Sequence, residues 1–141
     1  MRCEEIMKTN VECVSRDATV VDAARRMRAS NIGFLPVCDE AGKVLGTLTD
    51  RDLAIRVIAD ERDPETPVSD VMTREVVACS PGDDLERAEE LLGAYQKSRI
   101  MCIDAEGHLS GVISLSDIAQ YDESENASRT LREVSEREAH A

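Results

Sequence analysis

Aromatic side chains are nearly absent. Phe34, Tyr95 and Tyr121 are the whole set, and there is no tryptophan. A base-stacking platform built from several rings is therefore excluded, and a planar ligand has to be held by aliphatic side chains and backbone. Long apolar runs are missing too: no stretch approaches the roughly 20 residues that span a bilayer. The opening Met1-Arg2-Cys3-Glu4-Glu5 has no apolar core of a secretory signal. These absences predict a cytoplasmic protein without a membrane partner.

Positive charge is also scarce. Seventeen basic residues stand against 29 acidic ones, a net charge of −12, and no Lys/Arg cluster interrupts the acidic background. Such a surface repels phosphate backbones and anionic lipid. Nucleic acid is not an expected partner.

Catalytic and metal-binding signatures are missing as well. There is no Gly-x-Gly-x-x-Gly and no P-loop. Asp50 and Asp52 read as carboxylates favoured by a helix dipole, and no Cys–His pairing is visible. The five cysteines, Cys3, Cys13, Cys38, Cys79 and Cys102, are odd in number and contain no Cys-x-x-Cys. His108 and His140 lie far from ligand spacing, so neither a zinc site nor a disulfide framework is expected. The cysteines read as small buried hydrophobes, with a reversible thiol switch using Cys13, Cys38, Cys79 or Cys102 as the alternative. The chain does not read as an enzyme, and no cofactor or metal is required.

What is present is a duplication. In 141 residues, 42% hydrophobic and 33% charged, residues 6–54 overlay residues 71–119 without a gap. Met7 meets Met72, Ser15 meets Ser80, Ala23 meets Ala88, Gly42 meets Gly107, Gly46 meets Gly111 and Asp52 meets Asp117. Each copy reads alike. Residues 11–14 and 76–79 have strand character. Thr19 caps a helix whose apolar positions Val20, Ala23, Ala24 and Met27 follow the helical period, and Asp84 caps the counterpart carrying Leu85, Ala88, Leu91 and Leu92. Strands at 34–39 and 44–49 follow, then at 100–104 and 109–114, with turns through Gly42 and Gly107. A second helix begins after Thr49 and after Ser114. Residues 59–67 read as a Pro-interrupted linker, and 68–72 as a short helix entering the second copy. Residues 122–141 form a charged tail, either frayed or a short helix capped by Ser128 that docks on a partner subunit. A unit of about 55 residues buries too little surface to stand alone, so the copies are expected to pack face to face about a pseudo-two-fold axis, with a ligand cleft between them.

The third strand of each copy ends in Gly46-Thr-Leu-Thr-Asp-Arg-Asp52 and Gly111-Val-Ile-Ser-Leu-Ser-Asp117, both of the form Gly-h-h-[Ser/Thr]-x-x-Asp. A hydroxyl followed three residues later by a carboxylate makes a reciprocal helix cap. The same helix start offers N–H donors to an anion, while the carboxylate can accept from a ribose diol. The pattern fits both uses.

These motifs, the duplicated β-α-β-β-α unit and the stretch Thr-Asp-Arg-Asp-Leu-Ala-Ile-Arg resemble a CBS-domain pair, or Bateman module, over roughly residues 1–121. The resemblance implies an α+β fold with one CBS unit in residues 1–58, a linker at 59–67 and a second unit in 68–121. It also implies an adenine-containing ligand such as AMP, ADP, ATP, NAD or S-adenosylmethionine. Position by position, Asp52 and Asp117 match ribose-binding aspartates, and Thr49 and Ser114 match hydroxyls near ribose and phosphate. Arg51 and Ser116 fill the intervening positions. Arg99 matches a phosphate-binding arginine, whose counterpart in the first copy is the apolar Phe34. The strands bearing Cys13, Val14 and Ser15, and Cys79 and Ser80, would offer backbone groups to the adenine edge.

The expected role is a stand-alone regulatory sensor, homodimeric, that passes its ligand state to an unknown regulated protein. Two alternatives stand beside it: a ligand-free homodimeric interaction protein, and a thiol-based redox or stress sensor.

Overall fold

The computed structural model describes residues 1–121 and 125–139. The remaining tail positions, 122–124 and 140–141 with His140 among them, lie outside the described residues. The fold is α+β, with the strand and helix order repeated. The chain divides into a continuous unit, Glu12–Val76, and a split unit made of Met1–Val11 and Val77–Ala141.

In the continuous unit β1 (Val14–Ser15) pairs in parallel with β2 (Phe34–Cys38), which pairs antiparallel with β3 (Val44–Thr49). Helix α1 (Val20–Ser30) connects β1 to β2. A three-residue α2 (Asp50–Asp52) widens into a π turn over Leu53–Ile58. The split unit repeats the order with β4 (Ala78–Cys79), α3 (Leu85–Tyr95), β5 (Arg99–Ile103), β6 (Leu109–Ser114) and α4 (Leu115–Tyr121). The helix α5 (Glu125–Ala139) follows.

Local chemistry sets these elements as the sequence leads one to expect. Thr19 accepts a 3.2 Å bond from the Asp22 N–H, and Asp84 accepts one from the Glu86 N–H at 3.2 Å. At the other ends of these helices Asn31 and Gln96 both adopt a left-handed φ of 52°, satisfying the last carbonyls. In the hairpins Asp39 accepts from the Ala41 and Lys43 N–H groups and Asp104 from those of Glu106 and His108. Gly42 and Gly107 supply the positive φ that closes these turns, 83° and 90°.

Two edges depart from expectation. The first strands are shorter, Val14–Ser15 and Ala78–Cys79, and further upstream the chain pairs with the third strands. The backbone of Lys8 exchanges two hydrogen bonds with Val112, and that of Thr73 exchanges two with Thr47. Residues 1–11 thus extend the split unit, and 68–76 extend the continuous unit. The short helix expected at 68–72 is a 3-10 turn, Val68–Asp70, matched by another at Cys3–Glu5. Residues 59–67 are tied down: the Thr66 and Pro64 carbonyls accept from the Val20 and Val21 N–H groups, which a helix start leaves without internal partners.

Each unit has its own core. Val14, Val37, Leu48, Val68 and Val71 are buried in the continuous unit, and Cys3, Leu92, Ile100, Cys102, Ile113 and Ile118 in the split unit. Helix α5 lies on α3, with Val134 buried and the Thr130 hydroxyl donating to the Glu89 carbonyl at 3.2 Å. It starts before Ser128, which therefore sits inside the helix rather than capping it. Among the described residues no helix is long and apolar enough to cross a membrane.

Candidate functional site

In the continuous unit the motif closes as a reciprocal cap. Thr49 Oγ1 accepts from the Asp52 N–H at 3.1 Å, and Asp52 Oδ2 accepts from the Thr49 N–H at 3.0 Å. Asp52 is 8% exposed. Its carboxylate also accepts from the Thr73 hydroxyl at 3.2 Å and lies 3.9 Å from Arg56 Nε. Arg51 is exposed, one residue before it. Thr73 and Arg56 line a cavity of about 610 Å³ together with Arg62, Ser69, Asp70, Met72 and Arg74. Of the cavity's three arginines Arg56 reaches Asp52; it also donates to the Val71 and Met72 carbonyls, and Arg74 donates to the Ser69 carbonyl.

In the split unit the same cap forms. Ser114 Oγ accepts from the Asp117 N–H at 3.2 Å, and Asp117 Oδ2 accepts from the Ser114 N–H at 2.9 Å. Ser116 and Ser114 share a 2.8 Å hydroxyl–hydroxyl bond. Lys8 Nζ sits 3.5 Å from Asp117 Oδ1. Here Lys8 does what Thr73 and Arg56 do in the other unit.

Strand register places the two copies' differing residue identically. Phe34 pairs with Thr49, and Arg99 pairs with Ser114. Arg99 is exposed and Phe34 half-buried. The ladder thus sets an arginine opposite Ser114 and an apolar ring opposite Thr49.

The residues expected to offer backbone to an adenine edge have separate fates. Val14 is fully buried. Ser15 and Ser80 are exposed, with the Asp17 N–H donating to Ser15 Oγ at 3.2 Å and the Ser80 N–H to Asp83 at 2.9 Å. Cys13 is not a free thiol: it forms a disulfide with Cys38. The parallel ladder causes this, since Ser15 lies opposite Cys38 and brings the two cysteine Cα atoms to 5.9 Å. Widely spaced cysteines gave no sign of that bond in the sequence.

Cys79 turns inward to a second cluster. Its sulfur is 3.4 Å from that of Cys102 and 3.6 Å from that of Cys3. Hydrogen bonds from Cys102 and then Cys79 pull the Cys3 thiol from its ordinary 9.0 down to about 4, against burial and the charges of Asp83 and Asp84. Cys79 gains a lowering bond from Cys102, but its bond to Cys3 and burial push it up to about 12. Cys102 is pushed up, first by its bond to Cys3. Three metal-ligating groups thus converge where sequence spacing predicted none.

The CBS domain profile matches residues 3–59 and 68–124. The chain belongs to the CBS-domain family. It is 38% identical over 138 residues to the CBS domain-containing protein YhcV of Bacillus subtilis, covering 97% of each chain. Among solved structures it resembles hypoxic response protein I, crystallised with two coordinated zinc ions, at 29% identity and a TM-score of 0.79 over 86% of this chain and 98% of that one. The CBS pair of protein MJ0100, solved with 5-methylthioadenosine and S-adenosyl-L-methionine, has the same fold at 22% identity and a TM-score of 0.75, covering 85% of this chain and 94% of that one.

Sequence reasoning missed Lys8, Arg56, Arg62, Thr73 and Arg74. Lys8 and Thr73 hold equivalent places just upstream of each first strand, a signal that the duplication carries but that has no chemical motif attached.

Proposed function

We propose that this CBS pair is a regulatory sensor that binds an adenine nucleotide or adenosyl ligand through its Gly-h-h-[Ser/Thr]-x-x-Asp sites. The observation that carries the reading is the Asp52 cap, joined through Thr73 and Arg56 to the lining of a cavity that also holds Arg62 and Arg74. A buried, oriented carboxylate suits a ribose diol, and guanidinium groups nearby suit phosphate. In the split unit Asp117 takes the ribose role, with Ser114, Ser116 and Arg99 toward an anion. The binding of S-adenosyl-L-methionine and 5-methylthioadenosine by the MJ0100 pair supports an adenosyl class. The sensor works as a homodimer, and ligand occupancy biases its docking on a separate regulated protein through differential affinity for two states.

Thermal-shift screening against AMP, ADP, ATP, NAD and S-adenosylmethionine tests it. A ligand at 100 times its dissociation constant adds about 2.7 kcal/mol to the folded state. Asp52→Ala and Asp117→Ala each remove the response of one site. No response from any of the five, or responses indifferent to both substitutions, overturns the reading.

A second reading, thiol-based redox sensing, is favoured by the Cys13–Cys38 disulfide. Thiol counting with and without a reductant then shows two additional reactive thiols after reduction. Reduction that leaves ligand response and assembly unchanged rejects it.

A further inference from the structure

The duplication provides an internal control for the three-cysteine cluster. Cys3, Cys79 and Cys102 in the split unit stand where the continuous unit has Val68, Val14 and Val37. Val14 and Val37 are paired in the parallel ladder as Cys79 and Cys102 are. All six residues are buried, and none is more than 5% exposed. The fold is thus satisfied by three valines at these positions, and in one unit all three have become thiols. Packing alone does not ask for that.

We propose that Cys3, Cys79 and Cys102 form a three-sulfur binding site for a trivalent thiophilic metalloid of the arsenic(III) type. The three sulfurs lie within 4.8 Å of one another, and among the described residues no fourth ligating side chain joins them. The cluster belongs to the same apolar core as Leu85, Ala88, Ile100 and Ile113, and the Asp84 and Met101 backbone carbonyls lie 3.8 Å from the Cys3 sulfur and 3.7 Å from the Cys79 sulfur. Soft thiolates select thiophilic ions, and the closed surroundings leave no open position for a water ligand.

Charge and spacing choose within that class. Three thiolates leave a divalent ion with one net negative charge and a monovalent ion with two. Burying such charge is unfavourable without a counter-ion, and the charged side chains acting on the cluster, Asp83 and Asp84, are themselves acidic. A trivalent centre is neutral. With metal–sulfur bonds of about 2.3 Å, a planar three-coordinate centre needs sulfurs about 4.0 Å apart, and a pyramidal centre needs less. The Cys79–Cys102 and Cys79–Cys3 separations of 3.4 and 3.6 Å suit the pyramid, with Cys3 and Cys102 within 4.8 Å.

The exchange balances without a redox partner. Arsenous acid, As(OH)3, exchanges its three hydroxyls for the sulfurs of Cys3, Cys79 and Cys102. Three As–O bonds are replaced by three As–S bonds, and three waters leave. Their hydrogens come from the three hydroxyls and the three thiols. Arsenic stays trivalent throughout.

The test uses the full chain under a non-thiol reductant, titrated with arsenite and followed by thiolate-to-arsenic ultraviolet absorption and native mass spectrometry. One arsenic per chain, with three hydrogens lost from the cysteines in the observed mass, is expected. The triple variant Cys3→Val, Cys79→Val, Cys102→Val copies the sister unit's own core, so it folds by circular dichroism and loses binding. Cys13→Ser with Cys38→Ser keeps it. No binding by the folded wild type, binding retained in the triple valine variant, or binding lost with Cys13 and Cys38 overturns the site. Uptake of one zinc(II) or copper(I) where arsenite is refused overturns the trivalent assignment.

Discussion

Phe34 and Arg99 occupy the same register position in the two repeats, each at the start of its strand and opposite the motif hydroxyl, Thr49 in one case and Ser114 in the other. The difference between an apolar ring and a guanidinium falls where a ligand's anion would lie if both motifs bind. The two repeats therefore present different side-chain chemistry opposite the same motif hydroxyl.

Arg99→Ala is expected to weaken the thermal response to AMP or ATP at the split unit while leaving a response to uncharged adenosine unchanged. Comparing the two ligands on wild type and variant checks this. Equal losses for both would remove Arg99 from any phosphate role.

Asp52→Ala deletes the acceptor of the Thr49 N–H and the Thr73 hydroxyl. Loss of a cap and of a charged hydrogen bond destabilises by about 1–3 kcal/mol, readable as a lower urea midpoint. Asp117→Ala acts similarly through the Ser114 N–H. Adding the nucleotide panel separates this structural effect from a lost ligand.

Gly46→Ala places a methyl group against the Thr73 backbone carbonyl, whose bond with Thr47 holds the 68–76 segment on β3. Overpacking of this kind is destabilising by about 1–3 kcal/mol. Hydrogen exchange at the Thr73 and Thr47 amides should accelerate more than exchange in α1.

The thiol cluster gives stability a pH profile. Cys3 is depressed in the folded state, so its contribution is present above the ordinary 9.0 and fades as pH falls toward about 4. Cys79 is raised, so its contribution is present below 9.0 and is lost as pH climbs through about 12, with Cys102 adding in the same direction. Subtracting the triple valine variant's denaturation midpoints from those of wild type should leave a curve that peaks near pH 9. A flat difference would mean that the three sulfurs do not share protons.

The sequence made the repeated order of elements legible because two glycines, two aspartates and two helical stripes kept register across the duplication. The caps Thr19 and Asp84 were readable for the same local reason. The Thr49–Asp52 and Ser114–Asp117 pairs could be named from spacing alone, since a cap involves neighbours on one turn. Lys8, Thr73 and the three arginines of the cavity could not, because their positions come from backbone pairing between distant segments. Cys3, Cys79 and Cys102 are free and buried as expected, but the Cys13–Cys38 disulfide and the meeting of the three thiols were not readable, for a related reason. Cys13 meets Cys38, and Cys3 meets Cys79 and Cys102, through parallel ladders and a returning turn that leave no trace in sequence spacing.

The order of the chain through its two units has a consequence for biosynthesis. Glu12–Val76 is uninterrupted and can close as soon as it clears the ribosome, whereas Met1–Val11 has to wait for a partner that is translated afterwards. Cys3 precedes Cys79 and Cys102 in the chain and cannot meet either until the later segment of the split unit has followed it. The sulfur cluster is thus a late event in the birth of the molecule, and its assembly marks the moment when the two ends of the split unit have met.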